Sequence, residues 1–265
     1  MYDIEFEEPS SVEQAVQAIR RTGGRPLAGG QTLVAAMKTR LAQPGTLVGL
    51  GNIPALRGIR RASASITIGA MTRHAEVAAS PEVWQAIPAL ARLAGGIGDR
   101  QVRNMGTLGG SVANSDPAAC YPSAVLALGA TVHTSERRIP AEEYFVGMYT
   151  TALRDDELVT AIEFPVPLRA GYIKLEQPAS RFALVGVFVA QTAAGVRVAV
   201  TGAASTVFRA TDLERALTAS FTSDAARRIA VSAEGLSSDL HASADYRAHL
   251  ISVIAARAVE QATTT

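Results

Sequence analysis

Apolar residues at Val12, Ala15, Val16 and Ile19 recur at i, i+3, i+4 and i+7, and this spacing predicts a helix over 10–22. Ser10 followed by Glu13 reads as its capping box. RPLAGG (25–30) reads as a short strand running into a glycine turn. The spacing predicts a second helix over 32–42, with Leu33, Met37 and Leu41 on one face, and then a buried strand over 46–50. Ile66 and Ile68 share one face of a strand at 65–70. Thr72 is expected to cap a helix at 73–79, and 81–94 reads as a longer helix kinked at Pro88. Residues 95–116 carry no period of either kind and read as a glycine-rich connection, a length of loop that is usually functional. A helical stretch at 122–129 and strands at 131–134 and 157–164 follow, and PVPLRAG (165–171) reads as a domain boundary. Beyond it strands are expected at 171–176, 184–191 and 196–201, then helices near 212–219, 223–233 and 245–262. The last helix would bury Leu250, Val253 and Ile254, and this run of strands followed by helices is an α+β pattern.

Composition narrows the function classes. Of 265 residues, 48% are apolar, enough for a real core, and 25 basic against 24 acidic residues leave a formal charge of +1. No basic stripe is present to grip nucleic acid. No apolar run approaches the ~20 residues that span a bilayer. The acidic start, MYDIEFEEPSS, lacks the parts of a signal peptide, so a cytoplasmic protein without a transmembrane segment is expected. The single cysteine, Cys120, excludes an internal disulfide and a cysteine-ligated cluster built by this chain alone. His74, His133, His241 and His249 show no metal spacing; they read as surface or capping residues, and no metal site is expected.

Two glycine turns carry the candidate chemistry, LAGGQTL (27–33) and GTLGGS (106–111). Neither fits GxGxxG or GxxxxGK, and HExxH, GxSxG and CxxC are absent. A turn without Cβ atoms at Gly29 and Gly30 bares consecutive N–H groups, and the helix expected to follow adds first-turn amides at its positive end. Gln31 and Thr32 add side-chain donors. The second segment offers the Thr107 and Ser111 hydroxyls and the Gly109 and Gly110 amides. Two such sets suit a diphosphate approached from both sides.

The segments LAGGQTLVAAMKTRLAQP and QVRNMGTLGGSVANSDPAACYP resemble the two FAD-binding segments of the flavoprotein (medium) subunits of molybdenum hydroxylases, of the aerobic carbon monoxide dehydrogenase and xanthine dehydrogenase type. IPALRGI, IGAMTRHAEVAASP, ELVTAIEFPVP, TGAASTVFRA and DLHASADYRAHL extend the resemblance along nearly the whole chain. It implies an α+β chain: a two-subdomain FAD-binding domain of the vanillyl-alcohol-oxidase type over 1–167, divided near 57, and a small C-terminal α+β domain over 168–265. FAD would lie between the subdomains. Leu27, Ala28, Gly29, Gly30, Gln31, Thr32 and Leu33 would wrap its diphosphate on one side, and Gly106, Thr107, Gly109, Gly110 and Ser111 on the other. Thr72 would contact it at a helix start, Asn114 and Asp116 would reach its ribityl or diphosphate region, and Leu158 and Val159 would flank the flavin or adenine. Lys174 matches a family lysine near the flavin.

The resemblance further implies an electron-transfer role without acid–base catalytic residues of its own. A large partner with a molybdenum cofactor and a small partner with [2Fe–2S] clusters are expected, in a dimer of heterotrimers. The substrate on the partner would be carbon monoxide, an aldehyde or an N-heterocycle; a self-contained flavin oxidase or reductase of the same fold is the alternative. Three positions depart from the family pattern. Cys120 stands where relatives carry an acid that commonly bonds a cofactor hydroxyl, Gly49 where many have Asp, and Ala35 where many have Pro.

Overall fold

The structure is a computed structural model and describes residues 2–264. Its first sheet is parallel, in the order Glu5–Glu7, Thr46–Gly49, Arg25–Leu27, and the helix Val12–Thr22 packs on it. Thr46–Gly49 is buried along its whole length, as a central strand in a covered parallel sheet must be. Gly49 sits there because a Cβ would come within 2.8 Å of the Phe6 ring. The cap lies one residue later than expected: Ser11 accepts from the Gln14 amide, and the Gln14 side chain takes the reciprocal bond from the Ser10 amide.

A second, antiparallel sheet of five strands runs Ile59–Arg61, Ser65–Gly69, Val159–Pro165, Thr131–Thr134, Arg138–Pro140. The helices between residues 74 and 127 contribute to its core, except Arg100–Met105, which buries no residue. The stretch 81–94 is two helices, Pro81–Ala86 and Pro88–Gly95; Pro88 breaks the helix because it has no N–H to continue the ladder.

The third sheet is an antiparallel meander of Arg169–Glu176, Ala183–Thr192, Gly195–Thr201 and Phe208–Arg209. Its strands are apolar on both faces, and the structure explains why. Val185, Val187, Val189, Val196, Val198 and Val200 pack on the long helix Ala244–Thr264 and its neighbours. The alternate residues Tyr172, Phe188, Ala190 and Ala199 join the core of the second sheet. That long helix buries Leu250, Ile251 and Ile254, while Val253 is half-buried. The helix expected over 223–233 covers only Ser223–Arg227.

Polar ties cross the same boundary. The Arg197 guanidinium donates to the Leu126 carbonyl at 2.7 Å, at the C-terminal end of the helix Tyr121–Ala127, and pairs with Glu142. The Thr201 hydroxyl donates to the Pro117 and Ala119 carbonyls at 2.9 and 2.7 Å, so the segment carrying Asp116 and Cys120 is gripped from the third sheet.

Candidate functional site

The chain leaves the strand Arg25–Leu27 at the Leu27 carbonyl, which accepts from the Leu50 amide, and turns through Ala28 to Gly30. Gly30 has φ +69°, the left-handed region that glycine enters without strain. Gly29 is required for another reason: a Cβ there would lie 2.2 Å from the Met105 carbonyl oxygen and 2.7 Å from the Gly106 Cα. The two glycine segments, 76 residues apart by the difference of 105 and 29, therefore touch backbone to backbone. Beyond the contact, the amides of Gly29, Gly30, Gln31, Thr32 and Leu33 donate no hydrogen bond among the described residues. Gln31 and Thr32 are exposed. The helix that follows is Leu33–Lys38, shorter than the expected 32–42; Leu41 lies 85% exposed beyond the left-handed Arg40. Six residues sum only a small dipole, so the donors here are the turn amides.

Residues 95–116 are not a structureless connection. Asp99 caps a helix at Arg100–Met105, and Thr107 caps another at Leu108–Asn114. This corrects the expected role of the second segment. The Gly110 amide donates to the Thr107 hydroxyl at 3.1 Å, Gly109 to the Ala70 carbonyl, Leu108 to the Thr72 carbonyl and Ser111 to the Thr107 carbonyl. The Gly109 and Gly110 amides are thus used inside the protein. Gly109 is a packing glycine, since a Cβ would fall 2.4 Å from that of Ala70. Gly106 is another, wedged between Gly29 and the His74 ring.

What the second segment does present is a helix face. At 100° per residue, Gly110, Ser111 and Asn114 fall within about 100° of arc, with Thr107 at the cap above them. Leu108 and Val112, both fully buried, occupy the opposite face. The Ser111 hydroxyl and the Asn114 amide have no hydrogen-bond partner among the described residues. Bare backbone at Gly110 faces the Ala28 methyl, 3.4 Å from where a Cβ would stand. A polar, half-exposed helix face thus meets a turn of unpaired amides, with a glycine on each side of the seam.

The other expected residues are found in different states. Thr72 is buried and is not a helix cap: its hydroxyl donates to the Gly58 carbonyl at 3.2 Å, and Arg73 caps His74–Ala79 with Glu76 accepting from the Arg73 amide. Asp116 accepts from the Ala118 amide through one oxygen, and the other lies 3.5 Å from the Tyr149 hydroxyl. Leu158 and Val159 are buried in two different apolar cores. Lys174, its side chain 9% exposed, donates to the Gly96 and Arg181 carbonyls at 2.8 and 2.5 Å and lies 3.5 Å from Glu176. It thereby ties the hairpin after Glu176 to the loop at Gly96. Burial pushes the Cys120 thiol up, against the opposing pull of Lys174 and Tyr172 beside it, so this is a neutral, sequestered thiol.

Two residues near the junction carry no sequence signal for their role. His74 is buried, not a surface histidine, and tilts against Tyr121 at 5.4 Å. Burial first, and then the Arg103 guanidinium, push it down to about 4, so its imidazole is neutral at pH 7. Tyr149 has φ +52°, rare for an aromatic, and stands 58% exposed where the hairpin Phe145–Thr151 meets the end of the polar helix face. A cavity of about 470 Å³ lined by Gly195, Thr211, Glu214 and Thr218 lies on the third sheet's helix-bearing side, remote in sequence from both glycine segments.

Residues 2–167 match the FAD binding domain in molybdopterin dehydrogenase, and residues 172–262 match the CO dehydrogenase flavoprotein C-terminal domain. The chain belongs to the FAD-binding medium subunits of the molybdenum hydroxylases. Within this family it is 34% identical to the nicotine 6-hydroxylase medium subunit of Paenarthrobacter nicotinovorans over 98% of this chain and 97% of that one. It is 33% identical to the carbon monoxide dehydrogenase medium chain of Hydrogenophaga pseudoflava over 98% and 96%. The solved carbon monoxide dehydrogenase from that organism superimposes with a TM-score of 0.88 at 34% identity, covering 99% of this chain and 98% of that one. Quinoline 2-oxidoreductase from Pseudomonas putida 86 gives 0.89 at 26% identity, with the same coverage. The mixed α+β fold is therefore that of a carbon monoxide dehydrogenase-type medium subunit. No described helix is long and apolar enough to cross a membrane.

The junction fits the family's cofactor. Five successive amides of a turn that leaves no room for a side chain at Gly29 donate no hydrogen bond among the described residues, a donor set that fits a diphosphate. Ser111 and Asn114 supply neutral donors from the facing side.

Proposed function

We propose that this chain holds FAD across the seam between the two glycine segments and serves as the electron-transfer subunit of a heteromeric molybdenum hydroxylase. The amides of Gly29 to Leu33, with the Gln31 and Thr32 side chains, would hold the diphosphate. Thr107, Gly110, Ser111 and Asn114 would line it from the other side, over packing supplied by Gly106 and Gly109. Leu27 and Ala28 would form the lip of the turn. Thr72, Leu158 and Val159 would support the wall from beneath, because they are buried; Asp116 and Lys174 would bound the two ends. FAD supplies a carrier that exchanges electrons singly or in pairs. In this reading the chain receives electrons from [2Fe–2S] clusters on a small partner, fed by a molybdenum cofactor on a large one, and delivers them to an external acceptor.

The observation that carries the reading is the backbone contact of Gly29 with Met105 and Gly106, which sets the turn of unpaired amides beside the segment that leads into the helix of Ser111 and Asn114. Relatives named for carbon monoxide, nicotine and glyceraldehyde resemble this chain alike, which supports placing the oxidised substrate on the partner. Affinity purification of the tagged chain from its native host tests the assembly. Iron, molybdenum and flavin should elute together with two further polypeptides, one flavin per copy of this chain. Elution of the chain alone with flavin, and active as an oxidase, would replace the relay with a self-contained flavoenzyme.

A further inference from the structure

Tyr149 is the one aromatic residue with positive φ among the described residues. Its conformation, φ +52°, is strained for a bulky side chain and persists only when its surroundings over-determine it. They do. The Tyr149 amide donates to the Ser115 carbonyl at 3.1 Å, and the Ser115 hydroxyl reaches the Gly147 carbonyl at 3.5 Å. Ser115 is itself left-handed, at φ +47°, and it is the C-cap of the helix whose polar face carries Ser111 and Asn114. Two adjacent strained residues thus pin the hairpin to the end of the candidate cradle. Tyr149 is 58% exposed, and its hydroxyl makes one long hydrogen bond, to Asp116 at 3.5 Å.

We infer that Tyr149 is a further cofactor-binding residue: a rigid aromatic platform at the Asn114–Asp116 end of the cleft, on which one of the aromatic rings of FAD stacks. The inference rests on the FAD reading above and adds a residue to it. A dinucleotide has a heteroaromatic ring beyond each end of its diphosphate. An exposed ring held stiffly past the end of a diphosphate cradle is the complementary chemistry, and such stacking is sequence-independent and geometrically specific. The strain pre-sets the ring's position, which lowers the ordering cost paid on binding.

Full-length chain carrying Tyr149→Phe, Tyr149→Ala or Tyr149→Gly is titrated with FAD by visible absorbance, with ADP as competitor, and melted without ligand. Phenylalanine keeps the ring and should bind as wild type. Alanine and glycine should weaken FAD about tenfold. Glycine, which relieves the strain, should melt at or above the wild-type temperature, so the affinity loss is separated from unfolding. If ADP weakens in parallel the ring is adenine; if ADP is unchanged and bound-flavin fluorescence rises, it is flavin. Either supports the platform. Unchanged FAD affinity in Tyr149→Gly would overturn it, and so would equal loss in Tyr149→Phe, which would assign the effect to the hydroxyl. Wild-type protein that takes up no FAD either alone or in its isolated assembly would instead overturn the functional reading on which the platform stands.

Discussion

At the scale of single residues, the glycines divide by what a Cβ would strike. Gly29→Ala would drive a methyl into the Met105 carbonyl, 2.2 Å away, where backbone cannot yield cheaply. We expect a loss of about 1–3 kcal/mol in urea unfolding, and loss of FAD uptake with it. Gly45→Ala, with nothing within 4 Å, is the control and should stay within about 0.5 kcal/mol. Ser111→Ala should separate the two properties in the other direction. The hydroxyl has no internal partner among the described residues, so stability should hold while FAD affinity falls three- to tenfold, the worth of about one hydrogen bond. An unfolding midpoint that falls with affinity would show that Ser111 serves the fold instead. Two buried titrating groups contribute to the acid response. His74 is held at about 4 by burial and then by Arg103, below its unfolded value, so the unfolded chain binds the extra proton first. Its contribution, at most ~3 kcal/mol, is complete above about pH 6.5 and is lost as pH falls toward 4. Burial pushes the Glu157 carboxyl up, but the Arg137 guanidinium, the Thr134 hydroxyl and the Arg154 amide outweigh it and leave it at about 2. Its contribution is complete above about pH 4.5 and fails below that. Melting temperatures of His74→Leu should lose the slope between pH 6.5 and 4.5 that the wild type shows; an unchanged slope would contradict the assignment.

At the scale of elements, the long amphipathic pieces and the β-rich stretches were legible from periodicity, and the glycine-rich ones were not. The helix Val12–Thr22 has a clean apolar stripe and stands within a residue or two of its expected bounds. The helix Leu108–Asn114 opens on Leu-Gly-Gly, and glycine's poor helix propensity hides it. Tertiary context overrides that cost. The Thr107 hydroxyl caps the first turn, Ala70 and Thr72 take the next two amides, and Gly109 lets the helix settle on Ala70. A polar arc at 110, 111 and 114 opposite Leu108 and Val112 is the signal that could have found it. The short helix after Gly30 fails the other way. Apolar spacing continues to Leu41, but Thr39 bonds back to the Ala35 and Ala36 carbonyls and Arg40 leaves the helical region. The cleft's glycines were readable as a ligand site, but which of their amides were free was not, because that depends on Ala70 and Thr72, far away in sequence. Tyr149 was invisible for a similar reason: only the pairing of its hairpin with Ser115 forces the unusual φ.

At the scale of the whole molecule, the third sheet is shared. One face completes the core of the second sheet and the other packs on the long C-terminal helix, so the parts hold one another in register. Arg197 is one of the polar ties, reaching the Leu126 carbonyl and Glu142 from the third sheet. Arg197→Ala should lower stability by about 1–3 kcal/mol and loosen the 117–127 segment in hydrogen exchange; protection unchanged there would place the tie elsewhere. A rigid frame of this kind suits the proposed role, in which the cofactor is held at a fixed distance from a partner's redox centres. The claim on which all of this depends is that the seam between Gly29 and Gly106 holds FAD. The direct measurement is the visible spectrum of the purified protein before and after addition of FAD and removal of the excess. The account predicts a bound-flavin band near ~450 nm at one FAD per chain, abolished in Gly29→Ala. A protein that stays colourless both alone and in its isolated assembly, or a Gly29→Ala chain that binds FAD as the wild type does, would contradict it.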